Sequence, residues 1–105
     1  MKKITEELVH QVKDKIVEHI SPLKIILFGS YAYGEPHKSS DLDILVIKES
    51  TLPRRKRTKE IRCLFRDFLV PMDILVYTPE EINRFKDVKS SFIRTVLNKG
   101  RVLYG

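Results

Sequence analysis

A chain of 105 residues is near the commonest domain size, and one domain spanning residues 1–105 around one core is expected. Its 42% hydrophobic and 32% charged residues are ordinary for a soluble globular protein. No apolar run approaches the roughly 18 residues of a membrane span, and the charged N-terminus predicts no signal peptide. The net charge of +6 favours anionic partners without choosing among nucleotide, nucleic acid and acidic protein.

Residues 4–20 read as a first helix: Ile4, Leu8, Val12, Ile16 and Ile20 recur at every fourth place, and Val9 and Val17 widen the stripe. Ser21-Pro22 ends it, because proline disfavours helical backbone in the residue before it. Residues 24–28, Lys-Ile-Ile-Leu-Phe, form a near-continuous apolar run, as in a strand buried on both faces. Gly29-Ser30 punctuates that run, and residues 31–40 are turn-rich, with Gly34, Pro36 and two serines. Residues 41–47, Asp-Leu-Asp-Ile-Leu-Val-Ile, are the second strand. A helix is expected from Thr51 or Leu52 to Leu69, with Pro53 in its first turn and Ile61, Leu64, Phe65 and Phe68 as its buried stripe. The lone Cys63 on this helix cannot close an internal disulfide. It is expected to be a buried or half-buried structural thiol in a reducing cytoplasm. Pro71 breaks the helix and residues 72–77 make the third strand. Thr78-Pro79-Glu80-Glu81 carries a capping-box start, with Thr78 as N-cap and Glu81 reaching back. A further helix is expected from about Lys89 to Asn98, stopped by Gly100, and residues 101–104 add a final strand. Strands alternating with helices give an α/β (α+β) class, a short mixed sheet flanked by helices.

In a strand, residues two apart share a face, so Asp41 and Asp43 project together while Leu42 turns away. Adjacent carboxylates repel, and nothing in a core rewards that. A hard cation does: magnesium takes oxygen ligands and is held by one or two carboxylates plus substrate phosphates. Asp73 interrupts an otherwise apolar run, and if the third strand lies beside the second it faces the same site. Three converging carboxylates can hold two metal ions about 4 Å apart, which suits an in-line phosphoryl displacement. Gly29 permits close approach of backbone to a ligand and Ser30 adds a hydroxyl, making that turn the candidate clasp for a triphosphate.

Gly29-Ser30, ten further residues, Asp41-x-Asp43 and a later isolated Asp73 resemble the signature of the DNA polymerase β-like nucleotidyltransferase superfamily. The Leu27-Phe28-Gly29-Ser30 turn, the strand from Ser40 to Val46 and the short length are most similar to its minimal branch, the MNT domain proteins, over residues 4–105. The resemblance implies that superfamily's fold and a magnesium-dependent nucleotidyltransferase. Asp41 and Asp43 would bind two magnesium ions, and Asp73 would ligate the catalytic one and help deprotonate the acceptor hydroxyl. MNT proteins are commonly antitoxins of HEPN ribonuclease toxins. A HEPN toxin partner, with AMP moved from ATP onto a toxin tyrosine, is therefore implied. One departure is Tyr33, where family members often carry a basic residue. One phosphate contact is thereby either lost or taken over by Lys38.

Other readings stand beside this one. The aspartates could be unrelated surface residues, the acceptor a small molecule or an RNA end, or the chain a non-catalytic module acting by occlusion. The run Arg54-Arg55-Lys56-Arg57-Thr58-Lys59 could meet RNA, an acidic partner face or a triphosphate, or could be solvated. Cations at a helix start oppose the helix dipole. His10, His19 and His37 lack metal-ligand spacing and read as surface or boundary residues; the roles of Tyr31 and Tyr33, near the site, stay open, as does hetero- or homo-oligomerisation.

Overall fold

In the computed structural model, residues 4–34, 41–68, 70–88 and 91–105 are described. The elements run α1 (Glu6–Ile20), β1 (Lys24–Phe28), α2 (Ser30–Tyr33), β2 (Leu42–Ile47), α3 (Arg54–Arg62), β3 (Met72–Tyr77), α4 (Pro79–Phe85), α5 (Phe92–Lys99) and β4 (Arg101–Tyr104). The four strands form one mixed sheet in the order β3-β2-β1-β4. β1 is antiparallel to both neighbours, whereas β2 and β3 run parallel, as the α3 crossover between them requires.

Strand alternation sorts the apolar residues onto two faces. Ile25 and Leu27 of β1, Leu42, Ile44 and Val46 of β2, and Ile74 and Val76 of β3 pack with Val9, Val12 and Ile16 of α1 and with Ile61 and Phe65. The residues between them, Ile26, Phe28, Leu45 and Ile47, pack with Ile82 of α4 and Ile93 and Val96 of α5 on the other face. Covering both faces explains why β1 and β2 read as continuous apolar runs. Each aliphatic side chain removed fully from water contributes about 1.5–3 kcal/mol, so these two layers dominate the stability.

Local chemistry sets the element ends. Thr5 caps α1, accepting the Leu8 amide at 3.1 Å. Ser21 ends it in the left-handed region, φ 53°, and the Lys48 ammonium donates to the Ile20 carbonyl at 2.9 Å. The helix expected from Thr51 or Leu52 to Leu69 is shorter than predicted. α3 begins after Pro53, which is its N-cap rather than a first-turn residue, and tightens into a 3₁₀ turn over Cys63–Phe65. The expected end at Leu69 lies outside the described residues, as do Pro36, His37, Lys38, Ser40 and Lys89. The stripe survives the change of pitch: Ile61 and Phe65 are buried and Leu64 and Phe68 half-buried. Cys63 corrects another expectation, being exposed. It lies two residues past buried Ile61, about 200° around the helix and so on the opposite side.

The capping box at α4 forms as predicted: the Thr78 hydroxyl accepts the Glu81 amide at 3.2 Å, and the Glu81 carboxylate accepts the Thr78 amide at 2.8 Å. That carboxylate also receives two residues of the basic run. Arg57 donates to it at 2.7 Å and to the carbonyls of Leu52 and Val76, and Arg54 donates at 3.4 Å while lying over the Tyr77 ring. Arg54 and Arg57 therefore clamp the start of α3 to the end of β3 and the start of α4. Partial burial would raise the Glu81 carboxyl, but the Thr78 amide and the two guanidinium groups outweigh it and hold it at about 2. A carboxyl depressed from 4.5 contributes stability that is fully present above about pH 5 and is lost as pH falls toward 2. Glu81→Gln is expected to lower the melting temperature by roughly 5 °C at pH 7 and by much less at pH 3. Melts showing the same gap at both pH values would show that the charge is not its source.

Candidate active site

Three strand ends meet at one end of the sheet: the end of β1, the start of β2 and the start of β3. Phe28 is paired with Asp43 across the antiparallel β1–β2 ladder, and Asp43 with Asp73 across the parallel β2–β3 ladder. The Leu42 amide donates to the Pro71 carbonyl at 2.9 Å, which draws Asp41 to the start of β3. By strand alternation Asp43 and Asp73 share the face of Phe28, Leu45 and Leu75, the side covered by α4 and α5. Asp43 and Asp73 are half-buried and Asp41 is exposed.

This crowding has an electrostatic consequence. Burial, then the charge of Asp73, then that of Asp41, push the Asp43 carboxyl up to about 6. Between its ordinary 3.8 and that value the folded chain holds a proton that the unfolded chain releases. This residue therefore destabilises the fold as pH rises through the interval. The carboxylates are not placed there for stability. Among the described residues no group of three or more His, Cys, Asp or Glu forms a metal cage by itself. Magnesium characteristically takes part of its shell from substrate phosphates and water.

The Gly29-Ser30 turn closes the other side. Gly29 has φ 74° and ψ −157°, a conformation open essentially to glycine alone. A Cβ at that position would overlap the Asp43 carboxylate. The absence of a side chain thus lets the turn pass directly over the acid. Residues 30–33 then form the single-turn α2, in which the Ala32 and Tyr33 amides bond back to the Gly29 carbonyl and leave the earliest amides of the turn outside the ladder. Tyr31 is partly buried against the core and Tyr33 is 43% exposed. Tyr31 is therefore a packing residue, whereas Tyr33 is open to a ligand or partner. His10 and His19 are exposed, in line with their surface reading.

Two half-buried carboxylates on neighbouring strands, one of them against a glycine turn at the end of a mixed sheet, suit the binding of a cation and phosphate. Residues 6–103 match the nucleotidyltransferase domain family, and the chain belongs to it. It is similar to two proteins of Methanocaldococcus jannaschii named as protein adenylyltransferases. MJ0604 is 38% identical over 104 residues, covering 97% of this chain and 96% of the relative; MJ0141 is 31% identical over 100 residues, covering 95% and 91%. Among solved structures, a chain of a mutant toxin–antitoxin MntA–HpeT crystal structure superposes with a TM-score of 0.66. It is 21% identical, covering 97% of this chain and 74% of that one, a likeness of fold. The family and its relatives make this chain a nucleotidyltransferase enzyme. Among the described residues no helix is long and apolar enough to cross a membrane.

Proposed function

We propose that the chain transfers AMP from ATP to a tyrosine hydroxyl of a partner toxin of the HEPN type, neutralising it as an antitoxin. The observation that carries the catalytic part is the register of Asp43 with Asp73, which sets the two residues side by side on neighbouring strands, with the Asp43 carboxylate against Gly29. The acceptor part is supported by relatives named for protein adenylylation and by the fold shared with a chain of a toxin–antitoxin pair.

The donor set fits divalent metal: these are hard oxygen ligands, and the charges of Asp73 and Asp41 add to burial in raising the Asp43 carboxyl, a repulsion that a cation would remove. Asp41 and Asp43 would hold two magnesium ions and Asp73 would join them at the catalytic one. Bound there, the metal would neutralise phosphate charge and make the acceptor oxygen more acidic. The chain's own residues do the rest. Gly29 and Ser30 receive the triphosphate, the glycine by its missing side chain and the serine by its hydroxyl. The acceptor oxygen attacks the α-phosphorus, forming a phosphodiester bond, while the bond from that phosphorus to the bridging oxygen breaks and pyrophosphate leaves. The hydroxyl proton passes to Asp73. Most of the acceleration comes from positioning and charge compensation.

The deciding experiment incubates the chain with ATP labelled in its α-phosphate, magnesium and the candidate toxin. Label on a toxin tyrosine is expected, and label on RNA or a small molecule would replace the acceptor assigned here. The metal site has its own test. Magnesium with ATP is expected to raise the wild-type melting temperature by several degrees and that of Asp41→Asn/Asp43→Asn hardly at all. Equal shifts in the two proteins would remove the metal from these carboxylates.

A further inference from the structure

The helix α5, which covers the sheet face of Asp43 and Asp73, opens on an aromatic side chain that the fold leaves partly exposed. Phe92 opens α5 and is 41% exposed, whereas Ile93 and Val96 on the same helix are buried against the sheet. Its ring meets Phe28 at a centroid distance of 5.1 Å and an interplanar angle of 72°, an edge contact. Phe28 is the register partner of Asp43 and the residue immediately before Gly29. Phe92 is thus one side chain removed from the carboxylate cluster and from the glycine turn.

Its position is held from both directions. Ser91, just before it, accepts the Arg94 amide at 3.0 Å, donates its hydroxyl to the Phe85 carbonyl at 2.7 Å and gives its amide to the Val88 carbonyl at 2.9 Å. The Phe28 edge fixes the ring from the other side. A phenyl group held this way loses little freedom on meeting a ligand, and its open surface gains from being covered.

We propose that Phe92 is the stacking platform for the base of the donor nucleotide. The proposal rests on the triphosphate lying at Gly29-Ser30 and the carboxylates. The base is tethered through one ribose to the phosphate that reacts there, which brings a flat apolar group to the neighbourhood of Phe28 and Phe92. Every nucleobase offers a π-face, so a phenyl ring in that place supplies affinity with little discrimination among bases. Phe92 is a binding residue in this account and takes no part in the bond changes.

The test compares binding of ATP and of inorganic tripolyphosphate, each with magnesium, to the full chain and its variants. Phe92→Ala is expected to weaken ATP about tenfold and tripolyphosphate less than twofold. Phe92→Leu, which keeps an apolar contact for Phe28 without a π-face, is expected to show the same split, and Phe92→Trp to bind ATP at least as well as wild type. ATP affinity unchanged in Phe92→Ala and Phe92→Leu would overturn the proposal while leaving the phosphate site standing. Parallel loss of both ligands would also overturn it, because it would mark Phe92 as a residue that only supports the turn. Failure of the wild-type chain to bind either ligand would instead sink the phosphate-site reading, and this proposal with it.

Discussion

Asp73→Asn is expected to slow nucleotide transfer by about 10²- to 10⁴-fold while leaving nucleotide binding within a fewfold of wild type. Asparagine keeps the shape of the side chain, and the ladder joining β2 to β3 is a backbone structure, so Asp43 stays beside position 73. In the proposed function, what goes is a negative charge and the acceptor of the hydroxyl proton, while Asp41, Asp43 and the Gly29-Ser30 turn remain to hold metal and triphosphate. Removing the charge also takes away one of the influences that raise the Asp43 carboxyl, so the metal-free variant should tolerate rising pH better than wild type. Nucleotide titration beside a label-transfer assay with the candidate toxin separates these effects. Full transfer by Asp73→Asn would take this residue out of the chemistry. Toxin neutralised as well as before, with transfer absent, would make occlusion the better account of how the chain acts.

Gly29→Val carries the other large effect, and it falls on folding and function together. The backbone at Gly29 lies where a side chain costs about 1–3 kcal/mol before any contact is counted. The added Cβ would also displace the Asp43 carboxylate. A melting temperature lower by roughly 5–15 °C is expected, with transfer lost in the fraction that stays folded. Ser30→Ala removes only a hydroxyl and is expected to weaken triphosphate use severalfold at an unchanged melting temperature. Scanning calorimetry and transfer kinetics on the two variants distinguish a turn that shapes the acid cluster from one that merely links β1 to α2. Gly29→Val with wild-type stability and kinetics would contradict both the steric account and the placement of the phosphates.

The amino-acid sequence by itself carried the elements, because each rests on neighbours a few residues away. Every-fourth-place spacing in residues 4–20, the apolar run 24–28 and the Thr78–Glu81 capping box all act over one or two turns of chain. Asp41-x-Asp43 was legible as a local pattern, since alternation along one strand puts residues two apart on one face. β2 itself begins at Leu42, one residue later than expected, and Asp41 lies just before it. The convergence of Asp73 on them was conditional in the sequence; the parallel pairing of β2 with β3 decided it. Tertiary structure alone showed that Asp43 lies against Gly29 and that burial with two neighbouring charges raises its carboxyl. Electrostatic influence depends on distance through space, which local spacing does not give. The basic run at residues 54–59 divided on the same principle. Arg54 and Arg57 are taken up by Glu81 from a later helix, a role that no neighbour in the run announces. Phe92 read as one more residue inside a helix that was expected to begin near Lys89. Only the start of α5 at Phe92 and the packing of that ring on Phe28, far away in the chain, set it one side chain from the register partner of Asp43. Periodicity reports which way a side chain faces relative to its own element. Which other element it meets is decided when the sheet closes and burial of the two apolar layers outweighs the chain entropy of bringing distant segments together.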